Sequence, residues 1–274
     1  MKETGPIAVF DSGYGGLTVL NKIRQHLPQY DYIYLGDNAR TPYGTRSFEV
    51  VYEYTLEAVK KLFDMGAHLV ILACNTASAK ALRNIQQKDL PSIDPDKRVL
   101  GVIRPSVEVV DKLSNSKHVG VLGTVGTIQS KSYSMEINKL FPEIKVSQEA
   151  CPMWVPLVEN NEFKNNGADY FVKQSIDGIL DQDTNIDTII LGCTHYPLLI
   201  DKIRKYLPTG VNIIEQGDIV GESLKDYLRR HPEMEQNCSK NGSVSFYTTE
   251  QVSKFKQTAG IFFEGQLNVE HMVL

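Results

Sequence analysis

Two cysteines stand in matching local settings. Ile71-Leu72-Ala73-Cys74-Asn75-Thr76 and Ile190-Leu191-Gly192-Cys193-Thr194-His195 each run from an apolar segment into a thiol and then into small polar residues. A thiol at such a point lies at the carboxyl end of a strand and the start of a helix, whose partial positive charge favours the thiolate. One cysteine of this kind reads most simply as a small buried hydrophobe. Two in matching places point to chemistry. Inverting a stereocentre at a carbon acid needs a base on one face of the carbon and a conjugate acid on the other, and a thiolate and a thiol exchange those roles when the hand of the substrate is reversed.

Other residues fall where they could support such a pair. Asp11 and Ser12 open Asp11-Ser12-Gly13-Tyr14-Gly15-Gly16, which is neither a Walker loop nor a dinucleotide fingerprint. Asp11 is expected to orient a substrate ammonium or tune a thiol, with helix capping as the simpler alternative. His195, two residues after Cys193, is placed to activate that thiol or donate to a carboxylate. Asn75, Thr76 and Thr194 supply neutral hydrogen bonds suited to a carboxylate, and Pro42-Tyr43-Gly44 forms a turn whose backbone could do the same. Glu159, read alone, is a solvated glutamate, and Trp154 either walls a site or fills core. Cys151 and Cys238 have no matching partners and read as structural. Cys193 and His195 alone do not make a zinc site, so no metal is expected.

The elements that must position these residues are legible. Apolar, mostly β-branched runs at 7–10, 32–35, 69–72, 99–102, 119–122, 188–191 and 211–214 alternate with amphipathic stretches, the pattern of parallel strands covered on both faces by helices. Ser47 caps one such helix, with Val50, Val51, Tyr54, Val59, Leu62 and Phe63 at helical spacing and Gly66 just past its end. Residues 197–206 form another, with Pro197 in its first turn.

The chain also echoes itself. The segment starting at Ile7 resembles that starting at Val119, and the Cys74 segment resembles the Cys193 segment, in the same order. The fold class is therefore α/β: two pseudo-symmetric three-layer domains with mostly parallel sheets and the active site expected in the cleft between them. The crossings are expected near Asp94-Pro95-Asp96-Lys97-Arg98 and Pro208-Thr209-Gly210. That gives a first domain of 1–97 plus 210–274 and a second of 98–209.

Composition narrows the classes. The chain has 274 residues, 42% hydrophobic and 23% charged, with a formal net charge of -4. These are globular proportions, and the acidic balance offers no nucleic-acid surface. Four dilute cysteines suggest free thiols in a reducing compartment. Neither a signal peptide nor a membrane-spanning run is apparent, so a cytoplasmic location is expected.

Together these residues carry a resemblance. Asp11-Ser12-Gly13 with Gly15-Gly16, Tyr34-Leu35-Gly36-Asp37 through Pro42-Tyr43-Gly44, Ala73-Cys74-Asn75-Thr76-Ala77, Cys151-Pro152 with Val155-Pro156-Leu157-Val158-Glu159, Gly192-Cys193-Thr194-His195-Tyr196-Pro197 and Phe246-Tyr247-Thr248-Thr249 resemble bacterial glutamate racemases of the cofactor-independent aspartate/glutamate racemase family. The resemblance spans essentially the whole chain. It implies that Cys74 and Cys193 are catalytic acid/base thiols, assisted by Asp11 and His195, with Glu159 behind them. It further implies that Asp11, Ser12, Pro42, Tyr43, Gly44, Asn75, Thr76, Thr194 and His195 line the substrate site. L- and D-glutamate would be the substrates, D-glutamate would supply peptidoglycan, no pyridoxal phosphate or metal would be used, and a homodimer is expected. A racemase of aspartate or another acidic amino acid and a two-lobed binding protein for an anionic metabolite are the alternative readings.

Overall fold

The structure, a computed structural model, describes residues 3–263 and 265–274. The strands are β1 (Ile7–Asp11), β2 (Tyr32–Gly36), β3 (Leu69–Leu72), β4 (Arg98–Gly101), β5 (His118–Gly123), β6 (Lys145–Ala150), β7 (Thr188–Gly192), β8 (Asn212–Ile214), β9 (Val244–Thr248) and β10 (Val269–His271). They form two sheets, one ordered β10-β9-β2-β1-β3-β4 and the other β6-β5-β7-β8. All pairings are parallel. Parallel neighbours require crossovers, which the intervening helices supply.

The chain divides into two compact units, Met1–Val102 with Gly217–Leu274, and Ile103–Gln216. Both crossings lie later than the 97/98 and 209/210 expected from the sequence. Strand pairing is the reason: β4 hydrogen-bonds to β3 and so completes the first sheet, while β8 hydrogen-bonds to β7 and closes the second. A Pro-rich or charged stretch marks a turn; it does not decide which sheet the next strand joins.

The repeat seen in the sequence is a repeat of pairing. The orders β2-β1-β3-β4 and β6-β5-β7-β8 are the same topology. Register agrees residue for residue. Val9 of β1 faces Ile71 of β3, and Val121 of β5 faces Ile190 of β7, which are the positions the two echoes equate. In each unit the chain reverses direction across the sheet between the first and third of these four strands. Such a topological switch point is where ligands bind in open α/β sheets, outside the carboxyl ends of the strands.

Burial explains the strand patterns. Every residue of β1, β2, β3 and β7 is buried, so these segments are almost continuously apolar, Asp11 and Thr188 standing at strand ends. In the first unit Phe10, Leu35, Val70 and Leu72 pack against Val51, Ala58, Val59 and Leu62 of the helix Phe48–Asp64. Each fully buried side chain of this size contributes about 1.5–3 kcal/mol relative to exposure. Ser47 caps that helix as expected, its Oγ accepting from the Val50 N–H at 3.3 Å, and Gly66 beyond the far end has φ of +92°. The 197–206 segment starts one residue earlier, as a tight 3₁₀ turn, Tyr196–Leu199, before continuing as the α-helix Ile200–Tyr206. Among the described residues no helix is long and apolar enough to cross a membrane.

Candidate active site

In the first unit, β1 and β3 are neighbours, so Asp11, Ser12 and Cys74 converge at adjacent strand ends. Cys74 leaves β3 in an extended conformation and caps the helix Asn75–Lys80, its Sγ accepting from the Ala77 N–H at 3.4 Å. Ser12 Oγ lies 3.3 Å from the same sulfur. Both partners are neutral hydrogen-bonding groups, and a cap position favours negative charge on sulfur. Asp11 is buried, with its Oδ2 accepting from the Gly13 N–H at 2.9 Å. Asn75 and Thr76 are buried in the first turn of the Cys74 helix.

The Pro42-Tyr43-Gly44 turn is tied to this group through Asp37. The Asp37 N–H donates to the Asp11 carbonyl at 3.0 Å. The fully buried Asp37 carboxylate accepts from the Tyr43 hydroxyl at 2.5 Å, Arg40 Nε at 2.7 Å and Thr249 Oγ1 at 2.8 Å. Burial and the adjacent Asp37 carboxylate push the Tyr43 phenol far above its usual range, so it is a permanent donor. Pro42 is exposed and Gly44 half-buried. The one sign of Asp37 in the sequence is an acidic residue directly after the apolar strand β2.

In the second unit Cys193 follows β7, nearly buried, and its Sγ lies 3.8 Å from His195 Nδ1. On the far side of the ring, His195 Nε2 is 3.0 Å from Glu159 Oε1. Burial opposes charging this imidazole, but the Cys193 sulfur and the Glu159 carboxylate outweigh it and raise the ring from 6.5 to about 10. That shift favours the imidazolium form, in which both nitrogens donate. Glu159 is thus a partner of His195, not the solvated glutamate it appears to be when read alone. Thr194, also buried, lies between them in sequence, its Oγ1 3.4 Å from His195 Nδ1.

Trp154 explains how Glu159 is delivered. It is fully buried, its Nε1 donates to the Phe171 carbonyl at 3.3 Å, and its ring meets Tyr196 edge-on at 4.7 Å. Trp154 begins the helix that Glu159 ends, and Tyr196 follows His195, so one aromatic contact locks the two carriers together. It fills core. Cys151 and Cys238 are buried thiols pushed up to about 12 by desolvation, chemically quiet at neutral pH.

A duplicated parallel α/β unit, with a polar-flanked thiol at the same strand end in each copy, defines the class. The chain belongs to the Asp/Glu/Hydantoin racemase family, whose sequence profile matches residues 16–222, and is a racemase. The glutamate racemase of Shouchella clausii (strain KSM-K16) is 39% identical over 255 residues, covering 93% of this chain and 88% of its own. Among solved structures, glutamate racemase isoform RacE1 from Bacillus anthracis superposes with a TM-score of 0.90 at 36% identity, covering 100% of this chain and 99% of that one. Glutamate racemase from Francisella tularensis subsp. tularensis SCHU S4, solved in complex with D-glutamate, gives 0.87 at 32% identity, covering 99% and 97%.

Proposed function

We propose that this racemase interconverts L- and D-glutamate by two-base proton transfer between Cys74 and Cys193. The observation that carries the reading is the equivalence of the two thiols: each stands three residues beyond a matched residue pair, Ile71 with Val9 and Ile190 with Val121, at a switch point. The names of the relatives supply the substrate.

One thiolate takes the α-proton, breaking the C–H bond and forming S–H, and the electron pair is left on the carbon and spread into the α-carboxyl group. The second thiol then gives its proton to the other face of the carbon, so the product has inverted hand and the two sulfurs have exchanged roles. His195, charged and backed by Glu159, holds Cys193 as thiolate when it must act as base. Ser12 and the Ala77 N–H serve Cys74, and Asp11 orients the substrate ammonium. Ser12, Asn75, Thr76 and Thr194 hydrogen-bond the substrate, and the Pro42-Tyr43-Gly44 turn borders its side chain. This scheme calls on no cofactor. We extend the reading to a cytoplasmic homodimer that supplies D-glutamate for peptidoglycan.

Circular dichroism with purified protein tests the substrate. Loss of the signal of either glutamate enantiomer, with incorporation of one solvent deuteron at Cα in deuterium oxide, is the expected result. Racemisation of aspartate but not glutamate would overturn the substrate assignment, and binding without exchange would overturn catalysis.

A further inference from the structure

A second buried polar cluster lies in the same unit as Cys193, outside the groups assigned above. Gln216 Nε2 donates to Ser106 Oγ and to the Tyr133 hydroxyl, both at 2.8 Å. Ser106 and Tyr133 are fully buried and Gln216 is 4% exposed. Ser106 lies in the helix Ile103–Glu108, where the chain has just entered the unit, and Gln216 is the last residue before it leaves. Tyr133, in the helix Ser132–Leu140, joins them. Neutral groups buried this deeply cost free energy unless their hydrogen bonds are made, so geometry here is tightly held.

The Tyr133 ring reaches the thiol's support. A side chain at Gly192 would begin 3.2 Å from Tyr133 Cε2 and 3.0 Å from the Leu122 carbonyl oxygen, so the ring packs directly on the backbone that precedes Cys193. Burial holds the Tyr133 phenol well above its usual range, against the lowering effect of its hydrogen bonds to Gln216 and Ser106, so the ring stays neutral.

We propose that Gln216 is a positioning residue for Cys193: it fixes the Tyr133 ring against Gly192 and thereby sets where the Cys193 sulfur is presented. Proton transfer is sensitive to sub-ångström displacement of the base, and a ring free to shift would let the Gly192-Cys193 backbone relax. The proposal rests on the two-thiol glutamate reaction above.

Substrate isotope effects separate positioning from general support of the fold. Wild type, Gln216→Ala and Tyr133→Phe are assayed with α-deuterated L-glutamate and, separately, α-deuterated D-glutamate. Glu159→Gln serves as the reference for the Cys193 side and Ser12→Ala for the Cys74 side. Gln216→Ala is expected to lower kcat roughly threefold to tenfold, the scale of the neutral hydrogen bond that holds Tyr133. Its deuterium isotope effect should rise only for the enantiomer on which Glu159→Gln raises it, not for the one on which Ser12→Ala does. An equal change for both hands, or no change, in protein with a cooperative thermal transition would overturn the proposal. Tyr133→Phe keeps the ring and deletes only the hydroxyl, so it carries the same test should Gln216→Ala fail to fold. A wild type unable to racemise glutamate would instead sink the underlying reaction, a result distinct from symmetric isotope effects in an active enzyme.

Discussion

The ends of β3 and β7 are built on one plan and finished with different chemistry. Both present a cysteine three residues past a matched strand pairing. At Cys74 the sulfur meets a backbone N–H and a serine hydroxyl. At Cys193 it faces an imidazolium whose charge is held by Glu159. A duplicated frame thus fixes position, while the residues just outside it decide whether charge on sulfur is met by dipoles or by a full counter-charge. Dipoles lose little when salt or pH changes; an ion pair titrates.

Replacing either thiol should erase the comparison. Cys74→Ser and Cys193→Ser are each expected to reduce racemisation on the order of 10²–10⁴-fold, measured by circular dichroism. Wild-type turnover in either variant would abandon the two-thiol scheme. Glu159→Gln sharpens the contrast by acting on one side alone. Removing a charged partner should cost about tenfold to a hundredfold in kcat and move the His195 titration, followed by nitrogen-15 NMR, downward from about 10.

Ser12→Ala, which removes a neutral partner, should cost roughly threefold to tenfold and leave the His195 titration in place. The asymmetry has a counterpart in stability. The folded His195 ring titrates above the unfolded one, so its contacts stabilise the protein fully below about 6.5, and that contribution is lost as pH rises through about 10. Denaturant midpoints should therefore fall across this window in wild type and over a lower, narrower one in Glu159→Gln; coincident profiles would show that the carboxylate does not hold the charge. The smallest effect belongs to Cys238→Ala. It should leave turnover within about twofold and cost about 1–2 kcal/mol of stability, since that thiol is a buried group that donates to the Met234 carbonyl.

What the sequence disclosed followed burial. β1, β3 and β7 are buried throughout and announce themselves as apolar runs. β6, with Lys145, Gln148 and Glu149 along an exposed or half-buried edge, carries no such signal, and β10 has three residues of which Glu270 and His271 are exposed. β9 joins β2 across more than 200 residues, a pairing no local pattern encodes. The site divides the same way. Cysteines placed by a strand repeat were visible, as were their immediate neighbours. The Glu159–His195 contact depends on two short helical segments brought together by Trp154 and Tyr196, and the Gln216–Tyr133 bond spans 83 residues. Side-chain partnerships of that kind arise from tertiary packing.

The interrupted first unit also sets an order of assembly during synthesis. Strands β5 to β8 are contiguous in the chain and complete their sheet as soon as residues 103–216 have left the ribosome. β2 must meanwhile keep an unpaired edge, because its neighbour β9 is made last but for β10. The nascent protein therefore carries a finished sheet together with an open strand edge that invites foreign pairing, a liability that closes when residues 244–248 have emerged and paired with β2.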